Sequence, residues 1–499
     1  MTIGPADSYG VIPLANQLSP AFGGGQFVFA STMGRVISSR NNQTFPSTMQ
    51  EMIMARVLVN RCQNSKMIGY CNRRHQHFGK VCVVLVLMIA IVAGCAATSN
   101  VPDRSCAAGP KQACATSCGQ QSAMPERIIL NLTAAPATSQ AVTWRTRYPV
   151  DHPKAQIAPA SGMADFDKNA RSVDAQSQTV AMGKGHAVVH HTVVFEGLTP
   201  DTMYAYRVGA GGAWSEWNQF QTASREAEAF SFIYFGDPQE EIKSKCSRIF
   251  RAAYRKAPHA DFWHFVGDLV DNGDRDGEWG ELFDAMGWIA RNTPMIMLPG
   301  NHEYPNRRKV NGENYHLFPL WRPHFTLPEN GPAGLEETVY FIDYQGARLV
   351  MLNGNERLND QALWLDRVLA DNPQHWTIVA IHQPIYSTGK YRDSQKRQNL
   401  FVPIFDKYQV DLVLQGHDHT YSRSARLKNG ARDETGTVYV VSVSGPKSYP
   451  VNPRYEDLME ASGTGSQLFQ VIHVTPDRLD YESYDAAGTC CDVFTLKKP

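Results

Sequence analysis

Residues 230–239 read FSFIYFGDPQ, an apolar and aromatic run that ends in a glycine and a carboxylate. Four later stretches follow the same plan: 262–273 (FWHFVGDLVDNG), 295–303 (MIMLPGNHE), 376–384 (WTIVAIHQP) and 412–419 (LVLQGHDH). Short apolar runs before turn residues are typical of buried strands. Because ligands of α/β proteins gather at the carboxyl ends of strands, the five polar clusters are predicted to meet in one site.

The segments between these runs have the composition of helices. Residues 246–257 (CSRIFRAAYRKA) and 361–370 (QALWLDRVLA) are examples. Strands that alternate with helices predict an α/β domain, which we assign to residues 228–490.

The residue types at the strand ends are those of a metal site. Carboxylate, amide and imidazole groups together suit divalent or trivalent ions of hard to borderline character. Two ions roughly 3.5–4 Å apart share a water and lower its pKa toward neutrality. A hydroxide that bridged two such ions could attack phosphorus in line, so this chemistry would need no serine or cysteine nucleophile.

The order of the motifs carries a family resemblance. GD, GDxxD, GNHE, a lone histidine and GHxH, in this order, resemble the calcineurin-like metallophosphoesterases. The resemblance implies a two-sheet β sandwich flanked by helices. It also implies that the late strand-like runs 437–445 and 466–475 extend the second sheet of that sandwich.

A strand-rich region precedes these motifs. Residues 126–225 contain short runs rich in β-branched and aromatic residues, which predict a β-sandwich. The segment 197–208 (GLTPDTMYAYRV) resembles the fibronectin-III-like domain in front of purple acid phosphatases. Adjacent strand residues point to opposite faces, so His190 and His191 are expected to diverge, one packed and one exposed.

By the resemblance, the predicted ligands divide between two ions. Asp237 and His419 correspond to ligands of the first ion, and Asp268 corresponds to the carboxylate that bridges both. The second ion is then expected to be held by Asn301, His382 and His417.

Further roles follow from the same resemblance. His302 corresponds to the catalytic residue that contacts the phosphate and protonates the leaving oxygen. We interpret Asp271, Glu303 and Asp418 as carboxylates outside the ligand set, of the kind that commonly orient metal ligands.

Two departures bear on the metal. Purple acid phosphatases place a tyrosine three residues after the bridging aspartate, where this chain has Asp271. Many relatives have histidine in the first motif where this chain has Gln239, which either ligates through its amide oxygen or leaves that position to water. We therefore expect two ions drawn from Fe, Mn and Zn without a ferric tyrosinate.

Substrate contacts are predicted near two of the motifs. Tyr304 directly follows GNHE, and the loop after His382 offers Lys390, Tyr391 and Arg392 as groups that hold a phosphate oxygen. The alternative interpretation is a solvated basic loop.

The N-terminal region predicts export. Residues 81–97 (VCVVLVLMIAIVAGCAA) form an apolar run behind a basic flank and end in a sequence that resembles the bacterial lipoprotein box. Residues 67–95 are interpreted as a signal whose Cys95 is lipidated, with the outer membrane as destination, and 96–125 as a linker. Residues 1–66 are interpreted as a gene-model extension or a disordered segment.

The composition narrows the function class. The 48 basic and 48 acidic residues balance, so the charge of the whole chain gives no reason to expect a nucleic-acid-binding domain. Ten cysteines in 499 residues are too sparse for a disulfide scaffold.

The leading interpretation is a hydrolase of phosphoric esters, acid-phosphatase-like, that acts on phosphorylated small molecules or nucleotides. The alternatives are a phosphodiesterase or a nucleotide or pyrophosphate hydrolase on the same site, and a non-catalytic surface binding protein. The presence of all seven predicted site residues argues against a vestigial site.

Overall fold

A computed structural model describes residues 123–183, 186–305, 316–389, 392 and 394–498. The N-terminal part is a sandwich of two sheets. Its strands are β1 (Glu126–Asn131), β2 (Gln140–Thr146), β3 (Lys154–Pro159), β4 (Arg171–Asp174), β5 (Gln176–Gly183), β6 (His186–Phe195), β7 (Met203–Ala210), β8 (Ala213–Trp214) and β9 (Asn218–Gln221). Trp144, Tyr206 and Phe220 are among the buried side chains of its core.

The second part alternates strands and helices before it closes with antiparallel strands. Its strands are β10 (Phe230–Phe235), β11 (Phe262–Phe265), β12 (Met295–Met297), β13 (Tyr340–Tyr344), β14 (Ala347–Leu352), β15 (Trp376–Ile381), β16 (Leu412–Gln415), β17 (Tyr421–Ser424), β18 (Leu427–Lys428), β19 (Ala431–Arg432), β20 (Val438–Val441), β21 (Met459–Gly463), β22 (Leu468–Val474), β23 (Arg478–Asp485) and β24 (Cys490–Lys497). Its α-helices are α1 (Ser247–Lys256), α2 (Asp276–Met286), α3 (Ile289–Asn292), α4 (Trp321–His324), α5 (Leu358–Ala370) and α6 (Gln395–Tyr408).

Two large sheets organise the second part. One runs β13-β14-β15-β16-β20-β17-β21, and the other contains β24-β23-β22-β10-β11-β12. Their facing side chains form one buried core, and hydroxyls cross it: Tyr340 donates to the carbonyl of Met297 at 2.6 Å, and Tyr234 donates to that of Gln415. The predicted fold, an N-terminal β-sandwich followed by a two-sheet α/β domain, is confirmed.

The two parts share a sheet. Strand β1 lies parallel to β12, with Asn131 opposite Met295, so one sheet of the sandwich (β1, β2, β6, β5) continues the sheet of the second part into ten strands. Arg127 of β1 and Arg145 of β2 both pair with Asp276 of α2, at 2.6 and 2.7 Å. This continuity was not predicted, because a strand pairing between residues more than 160 positions apart has no local signature in the sequence.

The expectation for His190 and His191 is wrong, because both side chains are buried. The two rings do point to opposite faces of β6. The His191 ring lies 5.3 Å from that of Trp144, and the His190 ring lies 4.7 Å from that of His324 in α4. The second part of the chain therefore covers the face that was expected to meet solvent.

The prediction that both late strand-like runs extend the second sheet is right for one run and wrong for the other. Strand β20, within 437–445, pairs with β16 of the seven-stranded sheet. Strand β22, within 466–475, instead pairs antiparallel with β10 of the other sheet. The five strands before the polar clusters are confirmed as β10, β11, β12, β15 and β16, and α1 and α5 confirm the two helices. No helix among the described residues is long and apolar enough to cross a membrane.

Candidate metal centre

Five strand ends, from both sheets, bring their polar clusters together. Ligand-type atoms of Asp268, His382 and His417 lie within 4.8 Å of one another, and so do those of Asp237, Asp268 and His419. The two groups share Asp268. This is the arrangement that a pair of neighbouring ions bridged by one carboxylate would require.

The backbone is strained at four of these five residues. Asp237, Asp268, His417 and His419 have φ values of 43°, 47°, 70° and 52°. Non-glycine residues rarely adopt this left-handed region, and such strain clusters at functional sites. The strand ends thus turn their side chains into the site at a conformational cost that the fold must offset.

Asp268 is held by its surroundings. Its Oδ1 accepts a hydrogen bond from the backbone N–H of His302 at 2.8 Å, and its own N–H donates to Glu303 Oε2 at 3.0 Å. A Cβ at Gly300 would overlap Asp268 Oδ1, so only glycine allows the two turns to approach this closely.

A backbone hydrogen bond orients the ring of His382 from the side opposite the carboxylates. Its Nδ1 donates to the carbonyl of Val266 at 2.8 Å, which leaves Nε2 at 3.1 Å from Asp268 Oδ2 and 3.7 Å from Asp237 Oδ1. Burial lowers the pKa of His382, but the two carboxylates outweigh it and raise that pKa to about 9. The site is therefore strongly cation-attracting.

The pKa values of the two carboxylates, Asp237 and Asp268, are shifted in opposite directions. Burial raises the pKa of Asp237 well above its usual range. For Asp268 burial acts the same way, but the charges of His382 and His302 prevail and hold its pKa below its usual range. Burial also lowers the pKa of His419, to about 3, and that of His417, so both imidazoles are neutral and have a lone pair available for a metal.

The buried atoms of the site that lack a hydrogen bond indicate whether its residues suit metal ions. Among the predicted ligands, the buried atoms that make no hydrogen bond with a described residue are Asp237 Oδ1, Asn301 Oδ1, His382 Nε2, His417 Nδ1 and His419 Nδ1. An unpaired buried polar atom costs about 1–3 kcal/mol. Five such atoms around one small volume are explained if cations satisfy them.

Gln239 lies inside the same group. Its Nε2 is 2.9 Å from His419 Nε2 and 3.3 Å from Asp268 Oδ2, while its Oε1 is buried without a partner. A half-turn of the amide would bring the oxygen to face the two ligand groups.

His302 lines the cleft beside Asp268. Its Nδ1 donates to the backbone carbonyl of Asp271 at 2.6 Å, and its Nε2 lies 3.7 Å from Asp268 Oδ2. The Asp271 carboxylate is 3.4 Å from the same Nδ1. Asp271 therefore orients His302 mainly through its main chain.

The other two orienting carboxylates act on loops. Glu303 is fully buried and accepts hydrogen bonds from the backbone N–H groups of Gly300, Asp268 and Leu269 at 2.7, 3.0 and 2.8 Å. Asp418 accepts from Ser387 Oγ and from the Gly389 N–H, both at 2.8 Å. Asp418 thus points away from the ligand atoms and fixes the loop after His382.

A cleft of about 410 Å³ opens over the site. Tyr304 lines it, but its hydroxyl is bonded to Glu356 and Asn353 at 2.7 and 2.6 Å. Arg392 also lines it, with Nη1 donating to the carbonyl of His417 at 2.6 Å. Lys390 and Tyr391 lie outside the described residues, as does Cys95.

The cleft also contains residues that the motifs did not reveal. Those with polar side chains are Asn355, Gln383, Arg397, Lys447 and Tyr449. Arg397 comes from the first turn of α6 and Lys447 from the loop after β20, far from any motif along the chain. Only Gln383, next to His382, had a position in sequence that could have suggested it.

Comparisons with known proteins agree with this geometry. Residues 125–222 match the purple acid phosphatase N-terminal domain family, and residues 230–421 match the calcineurin-like phosphoesterase family. A protein of unassigned function from Mycobacterium tuberculosis is 26% identical over 375 residues, covering 63% of this chain and 68% of its own. Purple acid phosphatase 1 of Ipomoea batatas is 24% identical over 372 residues, covering 67% and 75%.

A solved structure shares the fold. The purple acid phosphatase PPD1 from yellow lupin (Lupinus luteus) seeds superposes with a TM-score of 0.64 at 17% identity, covering 75% of this chain and 74% of that one. Together the two family matches span more than half of the chain. The chain is a calcineurin-like metallophosphoesterase of the purple-acid-phosphatase-like type, and so a hydrolase of phosphoric esters.

Proposed function

We propose that the chain hydrolyses phosphomonoesters at a centre of two metal ions. The observation that carries the proposal is the sharing of Asp268 between two ligand groups of three residues each. A single ion would leave one group without its cation, and the five unpaired buried atoms would not all be satisfied.

The residues would divide as the sequence predicts. One ion would be held by Asp237, Asp268 and His419, with Gln239 as a further amide ligand. The second would be held by Asp268, His382, His417 and the Asn301 amide oxygen. The mixture of carboxylate, amide and imidazole groups suits Fe, Mn or Zn. With Asp271 where a tyrosine would give a ferric tyrosinate, we expect no purple colour.

When bound, the two ions supply a water of lowered pKa and positive charge for the phosphoryl oxygens. The protein supplies position. The turns after β10, β11 and β12 fix Asp237, Asp268 and Asn301 on rigid strands, and the Glu303 carboxylate ties the second and third turns together. The phosphoryl group would lie in the cleft over Asn301, with Arg392 beside His417 available to its oxygens.

His302 would protonate the leaving oxygen. With its Nδ1 proton donated to the Asp271 carbonyl, the imidazole presents Nε2 on the side of the ligand carboxylate, at the cleft wall. A proton on that nitrogen can pass to the departing alkoxide, which turns a poor leaving group into an alcohol.

The test uses the full chain after addition of Mn, Zn or Fe, with p-nitrophenyl phosphate and bis-p-nitrophenyl phosphate as substrates. We expect metal-dependent turnover, faster on the monoester. Faster turnover of the diester would mean that the chain is a phosphodiesterase rather than a phosphomonoesterase. No turnover on a broad panel of phosphoesters, with metals bound, would favour a non-catalytic binding protein.

We also propose that the chain is exported and anchored to the outer membrane by a lipid on Cys95. The apolar run 81–97, its basic flank and the small residues before Cys95 support this. Labelled fatty acid should be incorporated by the native chain in cells and not by Cys95→Ser. Equal labelling of both chains would contradict the assignment.

A further inference from the structure

Arg397 is a cationic residue that lines the cleft. One terminal nitrogen, Nη2, donates to the carbonyl of Gly354 at 3.1 Å, while the Nε group is buried and makes no hydrogen bond. Within the part of the chain that the structure describes, no aspartate or glutamate lies within ion-pair distance of this guanidinium. Arginines withdrawn from water are usually paired, so a half-buried one without a carboxylate partner among the described residues needs an explanation.

Two further features disfavour a cation at this position. Arg397 lies in the first turn of α6, where the helix dipole presents its positive end. Burial lowers the pKa of Arg397 to about 10, which reports the cost of holding its charge away from water. An anion bound beside Arg397 would offset both costs.

The charge of the cleft supports this. Among the described residues that line it, Asp268 is the one carboxylate, and it belongs to the metal groups. Lys447 is neutralised by Glu240 at 2.7 Å. Arg392 makes no ion pair with a described residue: its contacts are the carbonyl of His417 and the ring of Tyr449, 5.0 Å from the guanidinium carbon. Two guanidinium groups that make no ion pair with a described residue therefore line one small-molecule-sized cleft.

An acceptor lies next to Arg397. Gln383 directly follows the ligand His382, and a Cβ at Gly354 would overlap its Oε1. That oxygen is buried and unpaired, while Nε2 donates to Asn355 Oδ1 at 2.7 Å. The wall made by Gly354, Gln383 and Arg397 thus combines an unused donor with an unused acceptor, one residue from the metal centre.

We propose that Arg397, in the wall that it forms with Gly354 and Gln383, binds a second anionic group of the substrate, while Arg392 beside His417 stays with the phosphoryl group that is hydrolysed. Preferred substrates are then phosphomonoesters whose alcohol part carries a carboxylate or another phosphate. The inference rests on the proposed phosphomonoesterase activity and names its substrate class. The anionic oxygens would pair with the guanidinium group of Arg397.

The test compares substrates that differ in the second charge. Metal-loaded full chain is assayed for kcat/KM on 3-phosphoglycerate against glycerol 3-phosphate, and on fructose 1,6-bisphosphate against fructose 6-phosphate. A charge-assisted hydrogen bond predicts a preference of about tenfold or more for the charged partner of at least one pair. The pair that shows it distinguishes a carboxylate from a phosphate. Equal kcat/KM within both pairs would overturn the inference.

Variants isolate the residue responsible. Arg397→Met should lose about tenfold or more on the preferred substrate and less than about threefold on its uncharged partner. Lys396→Met removes the same charge from the exposed neighbouring position and should change neither. Equal losses on both substrates, or no loss, would overturn the inference. If Arg397→Met does not fold, the native comparison decides alone. Absence of turnover on every substrate, p-nitrophenyl phosphate included, would instead overturn the phosphomonoesterase itself.

Discussion

The Glu303 carboxylate accepts backbone hydrogen bonds from Asp268, Leu269 and Gly300, with a longer one from Val270 at 3.4 Å. Glu303→Gln puts an amide N–H₂ against these donors. Because residues that orient ligands typically contribute 10–100-fold to metal affinity, we expect a loss of about that size. Competition with a chelator measures it. The exposed Glu434→Gln is the control, and equal affinities in native protein and Glu303→Gln would contradict this role.

At the residue scale, the strand ends named the five residues that the structure brings together in two groups able to hold a metal ion, and their roles as ligands stay a prediction. The sequence did not indicate which groups hold the site residues in their orientation. Glu303 and Asp418 bind the main chain of loops, and Asp271 acts on His302 through its carbonyl. Arg397 was missed because its relation to the cleft depends on where α6 packs, which no spacing between motifs encodes.

At the element scale, the turn after β12 must approach the turn after β11 closely. Gly300→Ala would push a methyl group into Asp268 Oδ1 and the Asp268 N–H. Since a displacement of about 1 Å at a catalytic centre can cost about 100-fold, we expect kcat/KM on p-nitrophenyl phosphate to fall by at least that factor. Steady-state kinetics of the metal-loaded variant measures this.

Gly277→Ala provides the matched control for Gly300→Ala. Gly277 lies in α2, and no atom of the described residues outside that helix lies within 4 Å of the position that a Cβ would take. Its activity should be unchanged, and the helix should gain about 0.5–1 kcal/mol. Near-native activity of Gly300→Ala would show that the close approach of the two turns is not required.

The positions of the strands along the chain were predicted better than the strands with which they pair. Each of the five strands before the polar clusters begins at the first residue of its quoted apolar run and ends within one residue of the last apolar residue, because continuous apolar runs have few alternatives. Strand β22 was assigned to the wrong sheet, and the pairing of β1 with β12 was not foreseen. Both depend on contacts between residues distant in sequence, which local pattern does not specify.

At the scale of the whole molecule, the sheet that the two parts of the chain share buries histidines between those parts. Burial, with the charges of Arg145 and Arg127, lowers the pKa of His190 to about 3, and burial likewise lowers that of His324. Asp276 acts in the opposite direction on His190. Since the ordinary pKa is about 6.5, the unfolded chain takes up protons first as the pH falls. The native state should therefore lose stability between about pH 6.5 and pH 3.

The variant His190→Gln separates this effect from other titrating groups. It cannot be protonated, so its Tm should fall less steeply than that of the native chain as the pH is lowered from about 7 to about 4. Thermal melts followed by circular dichroism at several pH values measure both. Parallel curves would mean that His190 does not contribute to the acid sensitivity.

Asp268 is the residue on which the account depends, and metal stoichiometry beside turnover tests it most directly. Native chain reconstituted with Mn, Zn or Fe should hold about two ions and hydrolyse p-nitrophenyl phosphate. Asp268→Ala, which removes the one ligand common to both groups, should hold fewer ions and show no turnover. An Asp268→Ala protein that keeps two ions and native activity would contradict the bridged centre.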